Sequence, residues 1–502
     1  MREHSPPQQL SWSNWHKALM ALVWSIIVVV SLQSYTDPDL WGHLRFGLDA
    51  IASGSITKVD PYSYLTQGHP WINHEWLMEV TMGVAWLAGN ERGLILLRLI
   101  VYMATLAIVL WWLTGVKKLS FIPTVIVWLC VVAATIAFNT VVRPQLFTFL
   151  LFAITLIIID RAEYGYYRGL WLMPLVVATW VNLHGGFLAG CGVLGVWTIA
   201  HLALNRHRWL QVAPPVALSA LATLANPYGW DLLRFLLETA TGDRPEIADW
   251  TPLAVRSSLG LVYLAIVGLA LLSVYFSTLP RRPVLIGLFA LVAVMPLMAV
   301  RHLPLMGLAF AIFIGEHVGV AWHQIMRQQR DIAIPRQLQA VPWVLAIVVI
   351  ASGMFGFSWR FASGMNMPYN AMILLRESDF RGKLMNDFGW GQFLIWHLGP
   401  AVQVGMDGRR ETVYPHHIYE QYLDFHTGLN DWEAILRYAP PDAILIQRDS
   451  PPANLLALHP DWQQIFADEI SVLFVNTSST AAQALTRYVQ PFAPPAEVAV
   501  FP

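Results

Sequence analysis

Long apolar runs separated by short polar breaks fill the first 360 positions of the chain. Runs able to cross the hydrocarbon as helices fall near 17–34, 94–115, 120–139, 144–160, 170–183, 187–204, 209–225, 258–278, 283–299, 303–321 and 341–359. This pattern predicts a polytopic α-helical membrane protein with about 11 transmembrane helices. A further run, "EWLMEVTMGVAWLAGN" (75–90), fits either a span or an amphipathic helix lying in the interface. Beyond residue 360 the period shortens. "RGKLMNDFGWGQFLIWHL", "AVQVGMDGRR", "PDAILIQRD" and "ISVLFVNT" carry short β-type runs, interleaved with helical stretches such as "YEQYLDFHTG" and "DWEAILRYA". That alternation predicts an α/β domain over 361–502 after a membrane domain over 1–360, with a polar loop at 34–93 inside the latter.

Basic residues choose the orientation. With 75–90 kept on the outer surface, Lys117/Lys118, Arg161/Arg168, Arg206/Arg208, Arg281/Arg282 and Arg327/Arg330/Arg336 all fall on one side. By the positive-inside rule that side is the cytoplasm, with "QQRDIAIPRQLQ" as a short cytoplasmic connection. The N-terminus is then inside and the α/β domain extracytoplasmic. The first apolar run looks like a signal peptide, but no A-x-A-like site follows it and many spans do, so it reads as an uncleaved helix.

Composition agrees with the pattern: 56% of the 502 residues are hydrophobic and 13% charged, against about one quarter charged in soluble domains. A net charge of −1 offers nothing to nucleic acid. Cys130 and Cys191 each sit inside an apolar run and read as small core residues.

Candidate chemistry collects on the outer side. "SYTDPDLWGHLRFG" (34–47) puts Asp37 and Asp39 at the exit of the first span, where low dielectric raises a carboxyl pKa toward that of a general base. The same pair, with His43, fits a divalent cation such as Mn²⁺ or Mg²⁺. It also fits a plain turn that caps the helix "DLWGHLRFGLDAIASG", with Gly54 as its stop. "NHEW" adds Asn73, His74 and Glu75; it is no zinc signature, since no second His follows at i+4, and Asn73 fits an N-cap. "NLHGGF", with Asn182 and His184, fits a cavity lining or a tight interhelical turn. "NPYGW" and "EIADW" fall on the same side. Arg98, Arg143 and Arg301 lie at outer span ends, where an arginine calls for an anion, an ion pair or an interfacial anchoring role. Walker A, Rossmann and Ser-His-Asp patterns are missing, "GWGQF" is too loose for a nucleotide loop, and "DGRR" (407–410) reads as a strand-end turn.

A first span ending in an acidic motif, a loop helix, an aromatic-rich amphipathic helix and a span opening on "LLRL" together resemble the GT-C membrane glycosyltransferases. In layout they are similar to the protein O-mannosyltransferases and the lipid A aminoarabinose transferases. Further elements, "DPYSY", "RPQLF", "NLHGGF", "NPYGW" and "NDFGWGQFLIW…MDGR", resemble a bacterial GT-C-like family over nearly the whole chain. In the wider group a Ser-Gly follows the catalytic Asp at the interval separating Asp39 from Ser53-Gly54, so the resemblance favours Asp39 over Asp37. It sets "HEWLMEVTMGVAWLAG" in the place of the group's Pro-rich helix and Arg98 in that of its Arg. The group's Lys-Pro-Pro element is absent, and "INHEW" stands there instead.

The resemblance implies a bacterial inner-membrane glycosyltransferase that moves a sugar from a polyprenyl-phosphate donor to an extracytoplasmic acceptor with inversion. Asp39 is then the base, helped by Asp37, and Arg98, Arg143, His184, Arg301, His74 and Glu75 bind substrate. A metal is optional, and membrane lipid is the surrounding partner. The alternatives are a transporter or flippase of a lipid-linked anion, and a non-catalytic scaffold for polysaccharide assembly.

Overall fold

The computed structural model describes residues 12–239, 250–326, 335, 338–489 and 501. Residues 246–249 of "EIADW" and most of the expected cytoplasmic connection, including Arg327, Arg330 and Arg336, lie outside these. Two compact units form: Met1–Ser34 with Ile95–Trp359, and Tyr35–Leu94 with Arg360–Pro502.

The first unit is helical. It holds α1 (Asn14–Val30), the later part of α3 (Trp76–Trp111), α4 (Phe121–Thr135), α5 (Gln145–Glu163), α6 (Met173–Trp180), α7 (Phe187–Leu204), α8 (Trp209–Ala222), α9 (Trp230–Thr239), α10 (Ser258–Phe276), α11 (Pro283–Met298), α12 (Leu303–Ala309), α13 (Gly315–Ile325) and α14 (Val341–Gly356). Every apolar stretch singled out above carries helix. Among the described residues six helical segments are long and apolar enough to cross a membrane, and α1, α11 and α14 are shorter apolar helices. The protein is thus a multi-pass membrane protein. Helix persists in these runs because their apolar side chains leave the backbone no partner in lipid but itself. The segment Val300–Ile325 is the core of this unit, with 89% of its most apolar window buried.

Helix α3 leaves helical geometry at Gly89 and Asn90. Its earlier part belongs to the second unit, where Met78, Glu79 and Met82 are buried while Val84 and Leu87 are exposed. The second unit also contains α2 (Leu40–Ser53), α15 (Tyr369–Glu377), α16 (Gly391–Leu398), α17 (His416–Thr427), α18 (Ala434–Tyr438), α19 (Pro451–Leu456) and α20 (Thr480–Val489). Its strands are β1 (Gly382–Asn386), β2 (Val402–Val404), β3 (Ala443–Gln447), β4 (Trp462–Ala467) and β5 (Ser471–Asn476), in the order β2-β1-β3-β5-β4. β1 pairs in parallel with β2 and β3, and β5 pairs antiparallel with β3 and β4. Parallel neighbours require crossovers, and α16 and α17–α18 supply them. β1, β2 and β3 run parallel, so their carboxyl ends share one edge, with β2 and β3 on opposite sides of β1.

Candidate active site

The cleft of interest lies wholly in the second unit. It has a volume of about 430 Å³, opens to solvent, and is lined by Asp39, His43, Asn73, His74, Glu75 and Glu79, with Gln392, Gly408, Arg409 and four further residues.

The two aspartates of "TDPD" play different parts. Asp37 is 5% exposed, and its Oδ1 accepts the N–H groups of Asp39 (2.9 Å) and Leu40 (3.0 Å). It therefore holds the start of α2, satisfying donors that a helix N-terminus leaves over. Asp39 occupies the N-cap position without a side-chain capping bond, and its carboxylate faces the cleft. At the other end of α2, Gly54 takes the left-handed conformation (φ 65°) that stops the helix. Glycine is also needed at 408, where a Cβ would run into Asp39 Oδ1 and Gln392.

His43, one turn into α2, is held from both sides. Its Nδ1 lies 3.2 Å from Glu79 Oε1, and its Nε2 lies 3.9 Å from Glu75 Oε2. Asn73 Nδ2 donates to the second oxygen of Glu79, and Asn73 Oδ1 accepts the Glu75 N–H at 3.2 Å. Asn73 thus orders the turn before α3 from two residues outside the cap position, which Glu75 takes in place of the N-cap role read for Asn73, and it also orients the carboxylate that grips His43. His74 Nε2 approaches Glu75 Oε1 at 3.8 Å. Burial alone would depress the His43 pKa, but the Glu79 hydrogen bond and the charges of Glu75, Glu79 and Asp39 raise it to about 9. At neutral pH the cleft therefore holds an imidazolium among carboxylates.

Its far wall comes from the turn after β2. Arg409, 4% exposed at its side chain, binds Asp60 through Nη1 (2.7 Å) and Asp407 through Nε (2.8 Å) and Nη2 (2.7 Å). Tyr414 donates to the same Asp407 oxygen at 2.7 Å. The guanidinium also lies 4.8–5.4 Å from the ring centres of Trp71, Tyr62 and Phe46. Burial pushes the Asp407 carboxyl up, and Arg409 more than reverses this, holding it below the usual carboxylate range. "DGRR" is indeed a turn after a strand, but that reading missed its second task. Packing makes it both a buried ion-pair network and a wall of the cleft. Glu79, Asp60 and Gln392 were likewise missed.

The remaining sequence candidates belong to the helical unit. Arg98 is fully buried and donates to the carbonyls of Ser31, Leu32 and Asn139 and to Ser34 Oγ, tying the end of α1 to the turn after α4. Arg301 stacks on Trp250 with 4.6 Å to the ring centre. Arg143, half-buried, precedes α5. His184 lies in a tight turn between α6 and α7, where its Nδ1 accepts the Gly186 N–H (3.0 Å) and the Thr148 hydroxyl (2.8 Å). That arrangement leaves the ring proton on Nε2. As for the cation option at Asp37, Asp39 and His43, no three His, Cys, Asp or Glu side chains among the described residues are grouped as a metal requires.

No family model and no curated protein matches the sequence. Solved structures do. The arabinofuranosyltransferase AftD from Mycobacteria aligns over 94% of this chain with a TM-score of 0.54 and 15% identity, and the chain spans only 40% of its length. ArnT from Cupriavidus metallidurans bound to undecaprenyl phosphate aligns over 92% of this chain and 98% of its own, with a TM-score of 0.52 and 13% identity. The apo state of ArnT gives 0.51 and 12% over 94% of this chain and 98% of its own. Identity this low shows the fold alone, one that the chain shares with AftD and ArnT.

Proposed function

We propose that this protein is an inverting glycosyltransferase of a bacterial inner membrane, moving a sugar from a polyprenyl phosphate to an acceptor outside the cytoplasm. About eleven spans, with the second unit on the outer face, form part of the same reading. Asp39 carries it: of two neighbouring aspartates, it is the one whose carboxylate lines the cleft while Asp37 holds the helix. The architecture shared with ArnT, whose structure holds undecaprenyl phosphate, supports a lipid-linked donor.

In this mechanism the Asp39 carboxylate removes the acceptor hydroxyl proton as that oxygen attacks the anomeric carbon. The bond from that carbon to the phosphate oxygen breaks, and the electron pair leaves with the lipid phosphate. Attack opposite the leaving group inverts the centre. His43, His74 and Glu75 are polar groups suited to orienting sugar hydroxyls. Charge on the leaving phosphate requires cations or hydrogen-bond donors, for which Arg143, Arg301 and the Nε2–H of His184 are proposed. Arg98 is omitted, because carbonyl oxygens already engage its guanidinium.

Binding of a polyprenyl-phosphate analogue, read by native mass spectrometry in detergent, tests the donor assignment. Arg143→Ala and Arg301→Ala should weaken binding about tenfold or more, with Lys restoring it only in part. Unchanged binding in both, or no binding by the wild type, would refute it.

A further inference from the structure

Between Tyr164 and Trp230 the chain carries no aspartate or glutamate, yet it holds Arg168, Arg206 and Arg208. These arginines occupy two connections, 164–172 between α5 and α6 and 205–208 between α7 and α8, and all three are exposed. The ends of α5 and α7 meet, with His201 Nδ1 2.7 Å from Glu163 Oε2. Arg208 lies over Tyr167, 5.8 Å from the ring centre, so the two connections adjoin. Arg161, in the last turn of α5, adds a fourth cation and lies over Tyr166 at 4.9 Å.

The charge of this surface is not balanced. The Glu163 carboxylate turns inward, where it engages His201 and accepts the Trp197 indole N–H at 2.9 Å. Asp160 and Glu316, on the neighbouring network, are held by Lys117 at 3.0 and 3.1 Å. Among the described residues no carboxylate ion-pairs with Arg161, Arg168, Arg206 or Arg208. Four arginines therefore stand against one inward-facing carboxylate. Their depth is also marked. Trp171 and Trp209 flank the two connections and are 56% and 55% exposed, while Leu175, Ile199, Leu204 and Leu210 on the adjoining helices are exposed as well. Apolar faces of this kind look into lipid, and indoles at their ends settle at headgroup level. The arginines consequently stand where lipid phosphates lie.

We propose that the two connections form a docking surface for anionic phospholipid headgroups. Arg168, Arg206 and Arg208 engage the phosphate oxygens, and the exposed apolar faces of α6, α7 and α8 run along the acyl chains. A zwitterionic headgroup brings its own ammonium and leaves the excess positive charge uncompensated, so the surface selects lipids of net negative charge. Basic bias alone sets which side a loop takes; this cluster of unpaired arginines adds a choice of lipid. It is independent of the transfer chemistry assigned to Asp39, so loss of either leaves the other standing.

Native mass spectrometry of the full chain in detergent tests it, with phosphatidylglycerol, phosphatidylcholine and inorganic phosphate as separate probes. Phosphatidylglycerol should be retained, whereas phosphatidylcholine and inorganic phosphate should not. Each arginine should contribute about fivefold to retention, so Arg168→Gln, Arg206→Gln and Arg208→Gln combined should lower it about 10²-fold. Lys at the same three positions keeps the charge and should preserve most of the retention, which separates lost binding from lost folding. Arg234→Gln removes an exposed arginine that Glu238 already pairs at 2.9 Å, and it should leave retention unchanged. Equal retention of the two phospholipids, binding of inorganic phosphate, undiminished retention in the triple Gln variant, or an equal loss from Arg234→Gln would overturn the assignment.

Discussion

Replacing Arg409 by Met removes the cation from a network whose two carboxylates, Asp60 and Asp407, have side chains fully shielded from solvent. Met keeps most of the volume between Phe46, Tyr62 and Trp71, so the change is largely electrostatic. Deleting one partner of a buried ion pair typically costs about 3–5 kcal/mol, because the remaining charge stays buried and unpaired. Local opening should then accelerate amide exchange by roughly 10² to 10³-fold or more. The effect should centre on peptides covering 58–66 and 404–414, which the network joins.

Its pH dependence has a definite sign. In the wild type the Asp407 pKa is held below its unfolded value. That contribution is present above the unfolded pKa and is lost as pH falls through the lower folded one. Without the Arg409 guanidinium, burial of Asp407 is opposed only by the backbone N–H of residue 409 and the Tyr414 hydroxyl, and the carboxyl protonates more readily. The gap between variant and wild type should therefore be widest at neutral pH and close as pH falls through the carboxylate range. Hydrogen exchange by mass spectrometry at pH 7 and near pH 4.5, corrected for intrinsic rates, measures both. Equal exchange in the two proteins at pH 7, or a gap that widens in acid, would refute the reasoning.

Three other outcomes follow from the same geometry. Glu79→Gln removes the strongest support for the raised His43 pKa; the wild-type contribution is full below 6.5 and fades as pH rises through about 9, so the variant's stability should lose that slope between pH 7 and 9, as melting curves will show. Asp37→Ala should cost about 1 kcal/mol by unsatisfying the N-terminus of α2, detectable as faster exchange in residues 39–44. Single cysteines placed at 118, 207 and 281 should be labelled only from the cytoplasmic side and one at 420 only from outside; outside labelling at 118 would mean that 75–90 crosses the membrane.

The helices of the first unit were readable because hydrocarbon permits few alternatives to helix, so composition alone nearly dictates conformation. The strands were readable as β-type from short apolar runs such as "AILIQ". What local pattern does not contain is which distant segments share a core. Residues 35–94 group with 360–502, and Arg409 meets Asp60 across 349 positions. The turn reading of "DGRR" considered only its neighbours. Its position past the carboxyl end of a parallel strand, where open α/β sheets place their ligands, was the available signal. Asp37 and Asp39 could not be separated by residue type, since each satisfies the capping preference; the family interval to Ser53-Gly54 favoured Asp39, and the hydrogen bonds and cleft lining distinguish the two in the structure. Arg98 shows the converse. An arginine in an apolar run suggested an anion, and unpaired carbonyls near the end of α1 supplied its partners instead.

The most direct measurement of the central claim is sugar transfer from a polyprenyl-phosphate donor by Asp39→Asn in proteoliposomes, alongside Asp37→Asn. The amide keeps the size of the carboxylate but cannot take the acceptor proton. The account requires Asp39→Asn to remain inserted, with its melting temperature little changed, and to lose activity by roughly 10²-fold or more, while Asp37→Asn stays the more active of the two. Wild-type turnover by a well-folded Asp39→Asn protein would contradict it.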